Sequence, residues 1–335
     1  MDSALKNLLF AMQQRNLLYN GDFRYFSNQL LNGGVINYGI PDGWIYNDPG
    51  RNGKIGFDPD TSCCVITKSE QNERMVFGQM LHEFPRWKEM IANQLVTAKV
   101  FLSVSVSSTV DLRLTDGIDS ATVSRTGIGT LEFDVQLFVN KDAKKLCLSI
   151  ESETPFVKIA VSQVYANVGE IALKNLPWTV LGIIGERRQY VATETAPAEE
   201  LSLCAASTEL SEGYTRLNSV LNGRFGTGTN KRSLLPDMRG YFSRSWNNGA
   251  AMDPDAKDRK ALGGTIKGDR VGTTEPDVFK KHDHKLQFST DKPILGGDKV
   301  STTIINTMST SKTDTEGGLE TRPVNISELY TIKWA

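Results

Sequence analysis

A chain of 335 residues has room for two domains or three. Its 38 basic and 39 acidic side chains leave a formal net charge of −1, which argues against a nucleic-acid groove, and no polybasic stretch marks a membrane surface. No apolar run is long enough to cross a bilayer, and the opening residues lack the pattern of a secretory leader, so no membrane insertion is expected.

Leu5, Leu8, Leu9 and Met12 fall at helical spacing, which predicts a short amphipathic helix over 1–18. A helix of this length is marginal alone, so it packs on its own domain or serves as an attachment element. A turn signal follows at Pro41-Asp42-Gly43-Trp44. Beyond it the period becomes two. Val100, Leu102, Val104 and Val106 alternate with Phe101 and serines, and Val110, Leu112 and Leu114 continue the pattern. Leu131, Phe133, Val135 and Leu137 alternate again, then Leu146, Leu148 and Ile150, then Ile159 and Val161, then Val164, Ala166 and Val168. Many short alternating strands divided by turn residues predict a β-sandwich over 19–175. Cys63, Cys64, Cys147 and Cys204 show no metal-type spacing and read as reduced core residues.

Within that segment Asn16, Leu17, Asn20, Gly21, Asp22 and Phe23, with Pro41, Gly43 and Trp44, resemble the opening of jelly-roll domains of the carbohydrate-binding-module type. The resemblance implies a jelly roll, which in such proteins serves either to bind sugar or as a spacer. Trp44 and Trp87 are the candidate sugar-stacking platforms, with core or strand-edge packing as the alternative.

Thr179–Ile184 is strand-like, and Leu210–Gly223 reads as a short helix with Ser211 as N-cap and Gly223 at its stop. Residues 176–246 therefore predict a small α+β domain. From 247 onward Gly, Asp, Lys and Thr dominate and no period lasts, a composition that on its own predicts disorder. The chain nevertheless ends in strand-like Leu329, Tyr330, Ile332 and Trp334. Several chains intertwined about one axis would order such a span, so 247–335 is expected to form a fibre tip.

Leu235-Pro236-Asp237-Met238-Arg239-Gly240-Tyr241-Phe242, with Arg244, Trp246, Asn247, Asn248 and Gly249, resembles the signature of the phage tail-collar family, which supplies distal parts of tail fibres. Three further matches follow in order. They are Asp253-Pro254-Asp255-Ala256 with Arg259, Ala261, Leu262 and Gly263; then Asp277, Phe279, Lys280, His282 and His284; then Thr321-Arg322-Pro323-Val324-Asn325-Ile326 with Tyr330, Ile332 and Lys333. The chain departs from the family where Ala205-Ala206 follow Cys204 and where Glu275-Pro276 precede Asp277.

In a strand His282 and His284 point to one side. Two imidazoles hold a metal poorly, whereas three chains about a threefold axis bring six nitrogens and an octahedral site. Short tail fibres of the resembled type pin their chains in this way, which implies a homotrimer with a divalent metal on its axis, Fe(II) before other ions. Asn247-Asn248-Gly249 is a turn signal, and Trp246, Asn247 and Asn248 are the candidate receptor contacts. No nucleophile-elbow or Walker motif occurs, and no enzyme activity is expected. The reading is a non-enzymatic tail fibre or receptor-binding protein of a phage or phage-derived particle. It would be made in the host cytoplasm, joined to a baseplate or fibre neighbour in the virion tail, and bind a host surface glycan or lipopolysaccharide. The alternative is a structural baseplate or collar protein without a receptor.

Overall fold

The computed structural model describes residues 14–27, 30–32, 35–37, 39–50, 53–264, 266–277 and 325–335. The chain divides into two units, Met1–Thr274 with Glu328–Ala335, and Glu275–Ser327; every element below belongs to the first.

The architecture is mainly β, built on a jelly-roll-like sandwich. A two-stranded ladder, β1 (Leu30–Asn32) and β2 (Val35–Asn37), precedes it. The sandwich strands are β3 (Ile45–Asn47), β4 (Lys54–Asp58), β5 (Cys63–Thr67), β6 (Met75–Met80), β7 (Leu95–Thr115), β8 (Ser120–Phe138), β9 (Cys147–Ser152) and β10 (Lys158–Val168), all paired antiparallel. A short helix α1 (Trp87–Ile91) joins β6 to β7.

The long hairpin β7–β8 serves both layers. The first part of β7 pairs with β10, its last part with β9, and β8 follows it throughout. One layer therefore runs β4-β5-β10-β7-β8 and the other β3-β6-β9-β7-β8. The change of layer falls at a bulge. Val104 pairs with Gly129 and Ser108 with Gly127, so Ser105–Ser107 face only Ile128. Such an insertion bends a strand. The expected alternation holds on both sides of it: Val100, Leu102, Val110, Leu112 and Leu114 are buried, as are Phe133, Val135, Leu148, Ile150, Ile159 and Val161.

Asn16 forms a parallel bridge to Trp178, its carbonyl accepts from Thr179, and its side-chain oxygen accepts from the Leu18 and Ala166 amides. That correction shortens the helix expected over 1–18: residues 14–18 are extended, because this backbone is bonded to the sandwich edge. Leu5, Leu8, Leu9 and Met12 lie outside the described residues.

After the sandwich, Thr179–Ile184 forms turns with Val180 and Ile184 buried, where alternation predicted a strand. A three-stranded sheet follows, β11 (Arg187–Tyr190) and β12 (Glu200–Ser202) flanking β15 (Leu329–Lys333), with helix α2 (Thr215–Leu221). The chain end thus pairs within its own chain. Across the boundary expected at 175/176 the hydrophobic core is continuous, joining Val180, Ile184, Leu203, Leu217 and Ile332 to the sandwich residues. Residues 247–274 hold a 3-10 turn (Ala256–Asp258) and a short ladder of β13 (Lys260–Ala261) with β14 (Thr273–Thr274).

Candidate functional site

The residues of the jelly-roll-like opening form a structural knot. The Asn20 amide donates to the carbonyls of Tyr25 (2.9 Å) and Asp42 (3.2 Å) and accepts from the Tyr25 amide (3.0 Å). Ser27 donates its amide (2.7 Å) and hydroxyl (2.6 Å) to the Asp42 carboxylate, which is fully buried and whose pKa burial raises. The Trp44 indole donates to the Asn20 carbonyl at 3.1 Å and stacks on Phe77 with centroids 4.5 Å apart. Gly43 has a φ of +85°, and a Cβ there would meet the Tyr19 ring at 2.7 Å.

Trp44 is therefore no sugar platform: at 1% exposure its ring faces are packed in the core. Trp87 is half-buried, edge-on to His82 with centroids 5.1 Å apart, and the Lys88 ammonium lies 5.7 Å from its centroid. It packs at the border of the core rather than standing clear as a flat surface. In both cases the indole's large apolar area is used by the fold.

Trp246, Asn247 and Asn248 are brought together at the surface by a residue the local motif did not reveal. Asp269 accepts at its carboxylate from the Asn247 side chain (3.2 Å) and the Gly249 amide (2.8 Å), while its carbonyl accepts from the Trp246 indole (3.2 Å). The Asn247 side-chain oxygen in turn accepts from the amides of Met252 (2.9 Å) and Asp253 (3.1 Å). These bonds lower the Asp269 pKa, the Gly249 amide most, so the anchor is ionised at neutral pH. Asn248 (φ 44°), Gly249 (φ 76°) and Ala251 (φ 56°) turn the chain tightly between the anchors.

Below the loop Asp253 is buried and pairs with Arg259 at 3.0 Å, and Arg259 also donates to the Thr273 carbonyl at 3.0 Å. The second motif thus braces the first. The result is a fixed loop presenting a 41% exposed indole beside the exposed side chains of Asn248 and Met252. Chemically it offers an apolar platform flanked by amide donors and acceptors, suited to binding a neutral polar ligand.

His282 and His284 lie outside the described residues. Among the described residues no group of three or more His, Cys, Asp or Glu side chains is placed to hold a metal. The four cysteines are free, and burial pushes the Cys147 thiol up to about 11.

No protein-family model matches the chain. Protein RhiB of Rhizobium leguminosarum bv. viciae is 33% identical over 126 residues, 36% of this chain, and the chain spans 58% of that relative's length. Among solved structures, TmCBM61 in complex with beta-1,4-galactotriose aligns with a TM-score of 0.31 at 11% identity, covering 45% of this chain and 97% of its own. The CBM22-1 xylan-binding domain of Paenibacillus barcinonensis Xyn10C aligns at 0.32 and 12% identity over 47% of this chain and 96% of its own. The enzymatically active domain of bacteriophage CBA120 tailspike protein 4 aligns at 0.32 and 11% identity, over 46% of this chain and 21% of its own. Each covers less than half of this chain, and the sandwich assignment rests on the strand pairing itself.

Proposed function

We propose that the chain is a non-enzymatic adhesion component of a phage tail, or of a phage-derived particle, that binds a glycan or lipopolysaccharide on the host surface. The observation that carries this reading is the Trp246–Asp253 loop. Its residues lie in the string that resembles the tail-collar signature, and its indole stands exposed on a loop fixed from behind by Asp269. A preset platform loses little conformational freedom on binding. Weak single contacts become strong attachment when several copies engage one surface.

The full chain applied to an array of bacterial surface glycans should be retained on a subset of them. Trp246→Ala should weaken retention by at least about tenfold, roughly 1.4 kcal/mol per contact, with an unchanged melting temperature. An array that retains nothing, or equal retention of the variant, would sink this reading and favour the structural baseplate or collar protein.

The assembly belongs to the same proposal. Three chains intertwine through the part of 247–335 that lies between β14 and β15, and His282 and His284 of each together hold one divalent ion, Fe(II) first among candidates. Ligands that gather only when chains meet couple metal binding to assembly. Light scattering should give three times the 37.0 kDa chain mass. Elemental analysis should give one ion per three chains, lost in His282→Ala and in His284→Ala. A folded monomer, or a metal-free trimer, would remove the axial site.

A further inference from the structure

The strap that anchors the Trp246 loop also holds a charged group that the loop does not use. Asp269 fixes Trp246, Asn247 and Gly249. Two residues further on, the Val271 carbonyl accepts from Nη1 of the Arg224 guanidinium at 2.9 Å. The Cα atoms of Asp269 and Val271 are at most about 7 Å apart. Arg224 therefore meets the strap within a disaccharide's length of the carbonyl that holds the indole. Its place is set by close approach of the chain on two sides. A Cβ at Gly264 would come within 2.2 Å of the Arg224 carbonyl, and one at Gly272 within 3.2 Å of Arg224 Cδ.

The charge at Arg224 is not balanced. Among the described residues its guanidinium forms no ion pair, and its side-chain bond is the one to Val271. The side chain is half-buried, and its pKa is pulled down, first by burial and then by the like charge of Arg270, with no acid opposing either. Asp269, the acid next to Arg270, is committed to the Asn247 side chain and the Gly249 amide. Using Nη1 on Val271 leaves the Nε and Nη2 edge of Arg224, the pair of donors that grips two oxygens of one anion side by side. A half-buried positive charge with a second one near it favours an anion of more than one charge.

We infer that Arg224, with Arg270 near it, is a phosphate subsite beside the Trp246 platform, and that the ligand is a phosphorylated glycan with a neutral sugar on the indole and a phosphate monoester on Arg224. Such a group carries about −1.5 to −2 charges at neutral pH and three acceptor oxygens. A sugar carboxylate would match only one of the two positive charges. The inference rests on the adhesion reading and names its ligand class, and removing the phosphate tests it apart from that reading.

The test is retention of the full chain on bacterial surface glycans bearing phosphate monoesters, before and after phosphatase treatment of the same glycans. Dephosphorylation should weaken retention at least about tenfold, and rising salt should weaken the phosphorylated form more than the treated one. Arg224→Gln should lose as much. On that variant dephosphorylation should change retention by less than about twofold, because both changes remove one contact. Arg224→Lys keeps the charge without the two-donor edge and should fall between. Melting curves check folding, and if Arg224→Gln does not fold, the phosphatase comparison on the native protein decides alone. Equal retention with and without phosphate overturns the inference, as does unchanged retention of a folded Arg224→Gln. Binding of inorganic phosphate as tight as that of the phosphorylated glycan would leave a bare anion site and overturn it too. If retention depends on Trp246 but on neither phosphate nor Arg224, only the subsite falls. If it depends on phosphate and Arg224 but not on Trp246, the subsite stands and the indole platform falls. Retention on no glycan removes both.

Discussion

Glu83→Ala should destabilise the protein by about 3–5 kcal/mol, the cost of leaving a buried charge without its partner. Glu83 is 2% exposed and lies just after β6. Its carboxylate accepts from the Thr215 amide (2.7 Å), the Thr215 hydroxyl (2.5 Å) and the Arg216 amide (2.8 Å). These amides open α2 and have no partner inside the helix. Arg216 is fully buried and donates to the carbonyls of Glu83 (3.3 Å) and Leu17 (3.0 Å). Burial pulls the guanidinium pKa down to about 10 against the opposing pull of Glu83, so it remains charged at neutral pH. Removing the carboxylate strands that charge and the two amides together. Glu83→Gln keeps the shape and one acceptor and should cost less than the alanine. Urea unfolding measures both, and a loss below about 1 kcal/mol would show that the clasp is not a determinant of stability.

The same clasp explains why the residues after the sandwich share its core. Gly43 donates to the Ser219 hydroxyl at 2.8 Å, and the Ile184 amide donates to the Tyr19 hydroxyl at 3.1 Å. The first bond ties the turn-rich opening of the sandwich to α2, and the second ties it to the turns before β11. Cutting the chain near Leu176 would expose Leu17, Tyr19 and Glu83 at once, so the sandwich and the α2 region are expected to unfold as one transition rather than two.

The strands β7 to β10 were legible in the sequence because each buries one face, which writes the period of two into Val100, Leu102, Leu112 and Ile150. The strands β4 and β6 were not, because Gly56 and Gly78 interrupt their runs. A Cβ at Gly78 would come within 2.6 Å of the Leu148 carbonyl, so close approach of β9 dictates that glycine. Ser211 looked like the cap of α2 by local pattern. The actual cap is Glu83, 132 residues away in the chain, and no window of sequence contains both. Trp44 and Trp246 present the same ambiguity with opposite outcomes. An indole beside a turn is either core or platform, and the choice depends on its partners: Asn20 draws Trp44 inward, whereas Asp269 ties Trp246 at the surface. Asp269 lies 23 residues beyond Trp246, outside the motif that nominated the loop.

Acidification should weaken the fold at the same clasp, through His82. Its Nδ1 lies 3.1 Å from the Leu146 amide, which donates to it, and 3.3 Å from the Leu146 carbonyl, which already accepts the Leu81 amide at 2.7 Å. Nδ1 therefore serves as an acceptor and the ring is neutral. Burial, together with the positive charges of Arg216 and Lys145, pulls the His82 pKa from 6.5 down to about 4, against the opposing effect of the Leu146 carbonyl. The unfolded chain binds a proton near pH 6.5 and the folded chain only near pH 4. Between these values the unfolded state holds more protons, so stability rises with pH and is lost as pH falls. At about 1.4 kcal/mol per pH unit the loss reaches roughly 3 kcal/mol by pH 4. Protonation would also set an N–H against the Leu146 N–H and place a positive charge near Arg216. Chemical-denaturation midpoints from pH 7.5 to 4 should fall most steeply below pH 6.5. His82→Gln, which cannot titrate, should flatten that fall while lowering stability at pH 7.5 through imperfect packing against Trp87. An unaltered slope in the variant would assign the acid sensitivity to other groups, with the buried Asp42 removed from that list, because burial raises its pKa and protonation then favours the folded state.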